Sequence, residues 1–163
     1  LIFINAMKFI FVIHQEYNKP KSVLILDRDG VVIKDTGYPH KSKEIIFEEK
    51  KIEKIKSLVK KRKFDICGFA TNQSGVGRKY FSETQFWKCH NHIVNECSSK
   101  SLNINFTAVN FFMTDSYYRK PNSGMLDQIK NFYKVNNNNI LFVGDKISDA
   151  EAAKKAKISF MYI

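Results

Sequence analysis

Four apolar residues in unbroken succession, Val23-Leu24-Ile25-Leu26, are the sharpest feature of the hydrophobic pattern. A run without polar alternation predicts a strand covered on both faces, as inside a parallel sheet. Residues 64–70 and 140–143 have the same character, residues 104–113 carry Phe106, Val109, Phe111 and Phe112, and residues 158–163 supply a last strand. Between these runs the period changes to that of a helix. Ile52, Ile55 and Leu58/Val59 recur among lysines and glutamates and predict a helix over 48–62. Ser82 and Gln85 form a capping-box pattern ahead of the stripe Phe86, Cys89/His90, Ile93/Val94 and Cys97. Met125, Ile129, Phe132 and Tyr133 mark a third helix, and Ser148 with Glu151 cap a fourth that runs to about residue 157. Alternating strands and helices predict a Rossmann-like, three-layer α/β/α fold around a mostly parallel sheet with right-handed crossovers.

A chain of 163 residues suits one domain with a real core. Residues 22–163 form that domain, and residues 1–21 are read as an extension or an added strand of uncertain role. The opening LIFINAMKFIFVI is broken by Asn5 and Lys8 and lacks a basic leader, so a strand fits it better than a signal peptide. No apolar run approaches the roughly 18–20 residues of a membrane span, so no membrane partner is expected. Cys67, Cys89 and Cys97 are odd in number and form no CxC or CxxC pair, which points to a reducing, cytoplasmic setting. Cys89, His90 and His92 lack a second pair of ligands for a metal, and core packing explains them better. The net charge is +11, with ten lysines and arginines against four glutamates between Lys41 and Lys63. That balance suits an anionic partner, a phosphoester or a nucleic acid, although a solvated helix face explains it better than a nucleic-acid groove does.

The chemistry sits at strand ends. The first buried run stops in Asp27 and Asp29, one residue apart, followed by Gly30. Like charges so close raise a pKa unless a cation lies between them. Three further polar clusters follow strands: TNQSG from Thr71, Arg119-Lys120-Pro121, and GDKISD from Gly144. In a parallel sheet all four meet on one edge, where open α/β sheets bind ligands. Asp27 and Asp145 suit one Mg²⁺, which takes few carboxylates and keeps waters. Asp27 is then a nucleophile and Asp29 a general acid and base. Thr71 and Lys120 bind phosphoryl oxygens, while Lys146 and Asp149 stand behind the metal ligands. Arg28 and Arg78 are read as substrate-side cations or as solvent-exposed charges. Each cluster alone has a plainer reading: Thr71 a strand cap, Lys120 a surface lysine, Asp145 and Asp149 acids at a helix N-terminus.

DRDG, TNQSG, RKP and GDKxxD together resemble the four signature motifs of the haloacid dehalogenase superfamily of phosphatases, over about residues 22–163. DRDGVV, Gly37-Tyr38, TNQSGVGRKYF, RKPNSGML and VGDKISDAEAA resemble more narrowly the D,D-heptose 1,7-bisphosphate phosphatase and histidinol-phosphatase group. The resemblance implies Asp27 as nucleophile, Asp29 as acid/base, Thr71 and Lys120 on phosphate, and Asp145 on Mg²⁺. It also implies that the Asp29 carbonyl contacts the metal and that Asn72 and Arg119 touch phosphate or sugar. No large cap domain is implied. Members commonly carry a zinc loop ending in CxC before RKP; here Asp115-Ser116-Tyr117-Tyr118 occupies the position, so no structural zinc is expected.

The leading expectation is a Mg²⁺-dependent phosphatase of a small phosphorylated sugar. TNQxGxGR and YRKPxxGM also resemble the phosphatase domain of polynucleotide kinase 3′-phosphatases, which the positive charge suits. A catalytically silent binding module is the third alternative.

Overall fold

The computed structural model describes residues 4–6, as backbone, and 9–163. The elements in order are β1 (Ile4–Ala6), β2 (Phe9–Ile13), β3 (Val23–Leu26), α1 (Glu49–Arg62), β4 (Ile66–Asn72), the short α2 (Ser74–Gly77), α3 (Glu83–Ser99), β5 (Phe106–Asn110), α4 (Gly124–Tyr133), β6 (Ile140–Gly144), α5 (Ile147–Ala156) and β7 (Ser159–Tyr162). The strands form one sheet in the order β1-β2-β5-β4-β3-β6-β7. β5, β4, β3, β6 and β7 are parallel, and β2 and β1 continue the sheet antiparallel beyond β5. β3, the apolar run of the sequence, lies at the middle of the parallel part.

Strand periodicity sorts the core into two layers. Val23 and Ile25 of β3, Ile140 and Phe142 of β6, and Phe106 and Ala108 of β5 face Met125, Leu126 and Ile129 of α4 and Ala152, Ala153 and Ala156 of α5. Leu24, Leu26, Leu141 and Val143 face the opposite way, onto Ile52 and Ile55 of α1 and Cys89, Ile93 and Cys97 of α3. Full burial of each such side chain contributes about 1.5–3 kcal/mol. In the N-terminal strand, Phe9 and Phe11 are fully buried against the first layer, while Ile10 and Val12 pack with Phe86 and Val109. The three cysteines are free and buried, and no helix among the described residues is long and apolar enough to cross a membrane.

Several boundaries differ from those expected, three of them at the site. β4 runs on through Thr71 and Asn72 because both still pair with β5, opposite Val109 and Asn110. β5 stops at Asn110, where that pairing ends, so residues 111–113 belong to the following loop. α5 begins at Ile147, directly after the Asp145 turn. The carboxylate capping its start is that of Asp149, which accepts the Lys146 backbone N–H at 3.2 Å. Ser148 therefore lies within the first turn and is not the N-cap. The box at Ser82 and Gln85 forms as expected, with bonds of 2.8 and 3.1 Å.

Candidate active site

The carboxyl ends of β3, β4 and β6 and the loop after β5 enclose a cleft of about 520 Å³. Asp27, Asp29, Thr71, Asn72, Arg119, Lys120, Lys146 and Asp149 line it. Asp27 follows β3 directly, and its N–H is held by the Val143 carbonyl of β6 at 2.9 Å. Asp145 lies beside the cleft at the end of β6. Carboxylate oxygens of Asp27, Asp145 and Asp149 lie within 4.8 Å of one another. Asp149 was expected to stand behind this group but belongs to it, because α5 starts early enough to turn its carboxylate inward.

Lys120 is the cation that the cluster contains. Its Nζ lies 2.8 Å from Asp27 Oδ1 and 2.7 Å from Asp149 Oδ1, and it also donates to the Ala70 carbonyl at 2.9 Å. Only 4% of Lys120 is exposed, which rules out the surface-lysine reading. Burial alone pulls its pKa down, but Asp27 and Asp149 outweigh that and raise it. Asp27 is pushed up to about 6, chiefly by burial, with Asp149 and Asp29 adding to the rise and Lys120 opposing it. Burial likewise raises Asp145. Asp145 Oδ1 is buried with no hydrogen-bond partner among the described residues. Three carboxylates around a buried oxygen that nothing satisfies form a set of hard donors fit for a divalent cation.

Asp29 lines the same cleft but is not one of these three carboxylates. Gln73 Nε2 donates to its Oδ2 at 2.5 Å and to Thr71 Oγ1 at 3.0 Å, so one amide spans the two side chains. With its oxygen accepting from Gln73, the Thr71 hydroxyl keeps its own proton for a ligand. Asn72 Nδ2 donates to the Lys120 carbonyl at 3.0 Å, and its Oδ1 accepts the Lys120 N–H at 3.2 Å. Asn72 therefore braces the Lys120 loop. Arg119 donates to the Phe112 carbonyl at 3.0 Å while still lining the cleft.

Two expected substrate cations are placed elsewhere. Arg28 is fully buried and lines no part of the cleft. Arg78, at the end of α2, is exposed and lies outside the lining. Lys146 was expected to stand behind the metal ligands, but it lines the cleft and its ammonium spans to Asp35 at 2.7 Å. Cys89 and His90 are buried in the core. The short loop before Lys120 is tied by Tyr117 to Asp127 at 2.9 Å and by Asn122 to Asp115 at 2.7 Å, with Tyr118 stacked on Phe9 at 4.0 Å.

Sequence reasoning missed Asp35, which forms one wall, and Lys51, whose Nζ donates to the Gly30 carbonyl at 2.6 Å. Nothing in the sequence separates Lys51 from its basic neighbours. Gln73 was noticed only as surroundings for Thr71; its place directly after Thr71-Asn72 was the available signal.

The family model for polynucleotide kinase 3 phosphatase matches residues 22–161. A D-glycero-alpha-D-manno-heptose-1,7-bisphosphate 7-phosphatase of Photorhabdus laumondii is 32% identical over 152 residues, covering 88% of this chain and 81% of the relative. One from Campylobacter jejuni is 29% identical over 140 residues, covering 86% and 80%. Among solved structures, a D,D-heptose 1,7-bisphosphate phosphatase from B. bronchiseptica complexed with magnesium and phosphate superposes with a TM-score of 0.76 at 26% identity, over 85% of this chain and 78% of that one. A HAD-like protein from Mesorhizobium loti shares the fold with a TM-score of 0.86 at 24% identity, over 95% and 78%. Motifs, sheet order and similarity agree: the chain belongs to the haloacid dehalogenase superfamily of phosphatases, in the group that holds the heptose 1,7-bisphosphate 7-phosphatases.

Proposed function

We propose that this chain is a Mg²⁺-dependent phosphomonoesterase that removes the 7-phosphate of a D-glycero-D-manno-heptose 1,7-bisphosphate through an aspartyl-phosphate on Asp27. The observation that carries the reading is the buried Lys120 ammonium between Asp27 and Asp149, beside an Asp145 oxygen without a partner among the described residues. Asp27, Asp145 and the Asp29 carbonyl would hold the cation, with Asp149 adjoining. Bound there, Mg²⁺ would add positive charge at the phosphoryl group and offset repulsion among the carboxylates.

In the first step an Asp27 oxygen forms a bond to phosphorus while the bond to the sugar oxygen breaks. Asp29 in its acid form gives its proton to the departing alkoxide. In the second step water attacks phosphorus, Asp29 takes the proton that water loses, and the bond to Asp27 breaks. Lys120 and the Thr71 hydroxyl hold the phosphoryl oxygens throughout, since phosphoryl transfer depends chiefly on positioning and charge. Arg119, with Asn72 bracing the Lys120 loop, faces the rest of the substrate. The loop ahead of Lys120 is closed by its tyrosine contacts without zinc, and the enzyme works in the cytoplasm, where its three thiols stay reduced.

Turnover against a panel of phosphomonoesters tests this proposal: a heptose bisphosphate should be the best substrate, and phosphate release with EDTA present would refute the metal dependence. The family match and the +11 charge favour a second reading, a nucleic-acid 3′-phosphatase. That reading wins if a 3′-phosphorylated oligonucleotide is dephosphorylated far faster than any sugar phosphate, with steep salt dependence.

A further inference from the structure

Behind Asp29 runs a chain of buried polar side chains that the proposed reaction does not use. Arg28 Nε lies 3.0 Å from Asp29 Oδ1 and its second terminal nitrogen 3.2 Å from Oδ2, a fork on both oxygens. Its other terminal nitrogen lies 3.5 Å from His90 Nδ1, a long contact. His90 Nε2 is 2.9 Å from Thr107 Oγ1, and that hydroxyl is 2.8 Å from His14 Nε2. Arg28, His90 and Thr107 are all fully buried. Phe86 stacks on His90, with ring centres 5.3 Å apart, and carries the guanidinium 5.4 Å above its own ring.

The guanidinium sets the direction of the bonds that His90 makes. A guanidinium only donates, so His90 Nδ1 accepts, and its Nε2 carries the hydrogen that goes to Thr107. The same hydroxyl pairs with His14 Nε2 at 2.8 Å. Burial, with Arg28 adding to it, holds His90 well below its ordinary pKa, in keeping with that neutral form. Arg28 cannot pass a proton on, so the chain serves geometry and charge and is not a conduit. Four elements meet here: the β3 turn, α3, β5 and the segment after β2.

We infer that Arg28 is a positioning residue for Asp29: its buried fork, held in turn by His90 and Phe86, aims the carboxyl group at the cleft and keeps it apart from the Asp27–Asp145–Asp149 cluster. The inference rests on the phosphatase reading. Planar two-point pairing is what a lysine at this place cannot give. The fork answers a specific need, because a fourth carboxylate lies two residues from Asp27 and without a counter-charge would be drawn towards any cation held there. Arg28 acts through Asp29 in both steps and does not touch the substrate.

The test compares the full chain with Arg28→Met, Arg28→Lys and His90→Leu in Mg²⁺, using an alkyl substrate, a sugar phosphate, and p-nitrophenyl phosphate, whose leaving group departs without a proton. For the sugar phosphate, kcat should fall about 100-fold in Arg28→Met, less in Arg28→Lys and about 10-fold in His90→Leu, with KM little changed. For p-nitrophenyl phosphate the same variants should release about one equivalent of product in a burst and then turn over slowly. The rise in Tm on adding Mg²⁺ should persist in the variants. Equal losses on both substrates without a burst, a higher KM at unchanged kcat, or loss of the Mg²⁺ effect on Tm would each overturn the inference. If Arg28→Met does not fold, Arg28→Lys and His90→Leu decide by the same criteria. A wild-type protein inert towards every phosphomonoester sinks the phosphatase reading and the inference with it. Variants as active as an active wild type sink the inference alone.

Discussion

Gly30 and Asp145 occupy neighbouring space that only a glycine can share: a Cβ on Gly30 would overlap the Asp145 carboxylate. The backbone at Gly30 has φ of +88°, which a side chain also disfavours. The turn that follows β3 is thereby pressed against the acid at the end of β6. Gly30→Ala should displace Asp145, abolish phosphate release and cost upwards of about 1 kcal/mol of stability. Thermal melting with and without Mg²⁺ checks this, since the variant should also lose its response to the ion.

Replacing Asp27, the proposed nucleophile, should separate activity from stability. In the folded state Asp27 has a pKa of about 6, above its ordinary 3.8. The folded protein therefore holds this proton more tightly than the unfolded chain, and stability falls as the proton is lost. The penalty is absent below about pH 4, grows between 4 and 6, and is complete above 6. Asp27→Asn should have no turnover, yet in EDTA at pH 7 it should melt no lower than wild type and should lack that part of the pH dependence. Denaturant unfolding at pH 4.5 and pH 7 measures both effects.

Why so much of this site was legible lies in the buried strands. Val23-Leu24-Ile25-Leu26 and residues 140–143 have no polar alternation, and each ends in carboxylates, so the position of Asp27 and Asp145 on one sheet edge follows from parallel pairing alone. Arg28 was not legible. Its neighbours in sequence face the cleft, and only packing against His90 and Phe86, some sixty residues away, turns it inward. Asp149 moved from a supporting place into the acidic group because one turn of helix register decides where a carboxylate points. Lys51 was hidden among nine other basic residues of the same stretch, and its contact with the Gly30 carbonyl depends on how α1 docks.

Protons and the cation should compete for the acidic group. Filling the site requires Asp27 and Asp145 to be ionised, and both hold protons more tightly than exposed aspartates. Apparent Mg²⁺ affinity should be nearly flat above about pH 6 and fall about tenfold per pH unit just below it. Titration calorimetry at pH 5, 6 and 7.5 reads this dependence, and an affinity that does not change over the range would exclude Asp27 as a ligand.

The ion pair between Asp35 and Lys146 closes one side of the cleft from two segments 111 residues apart. Both side chains are partly exposed, at 32% and 48%, so the pair contributes no more than about 1 kcal/mol to stability. Its interest is spatial, because Asp35 occupies an ammonium that would otherwise face an anionic substrate. Burial opposes the ionised form of Asp35, yet the bonds from Lys146 and Gly37 win and hold its pKa below the ordinary value, so the pair stays intact through neutral pH. Asp35→Asn frees Lys146 and should lower KM for a doubly phosphorylated sugar several-fold while leaving a monophosphate nearly unaffected. Lys146→Met should raise KM for the bisphosphate and leave Tm within a few degrees of wild type. Should both variants shift KM for mono- and bisphosphates alike, Lys146 would be serving the reacting phosphate rather than a second one.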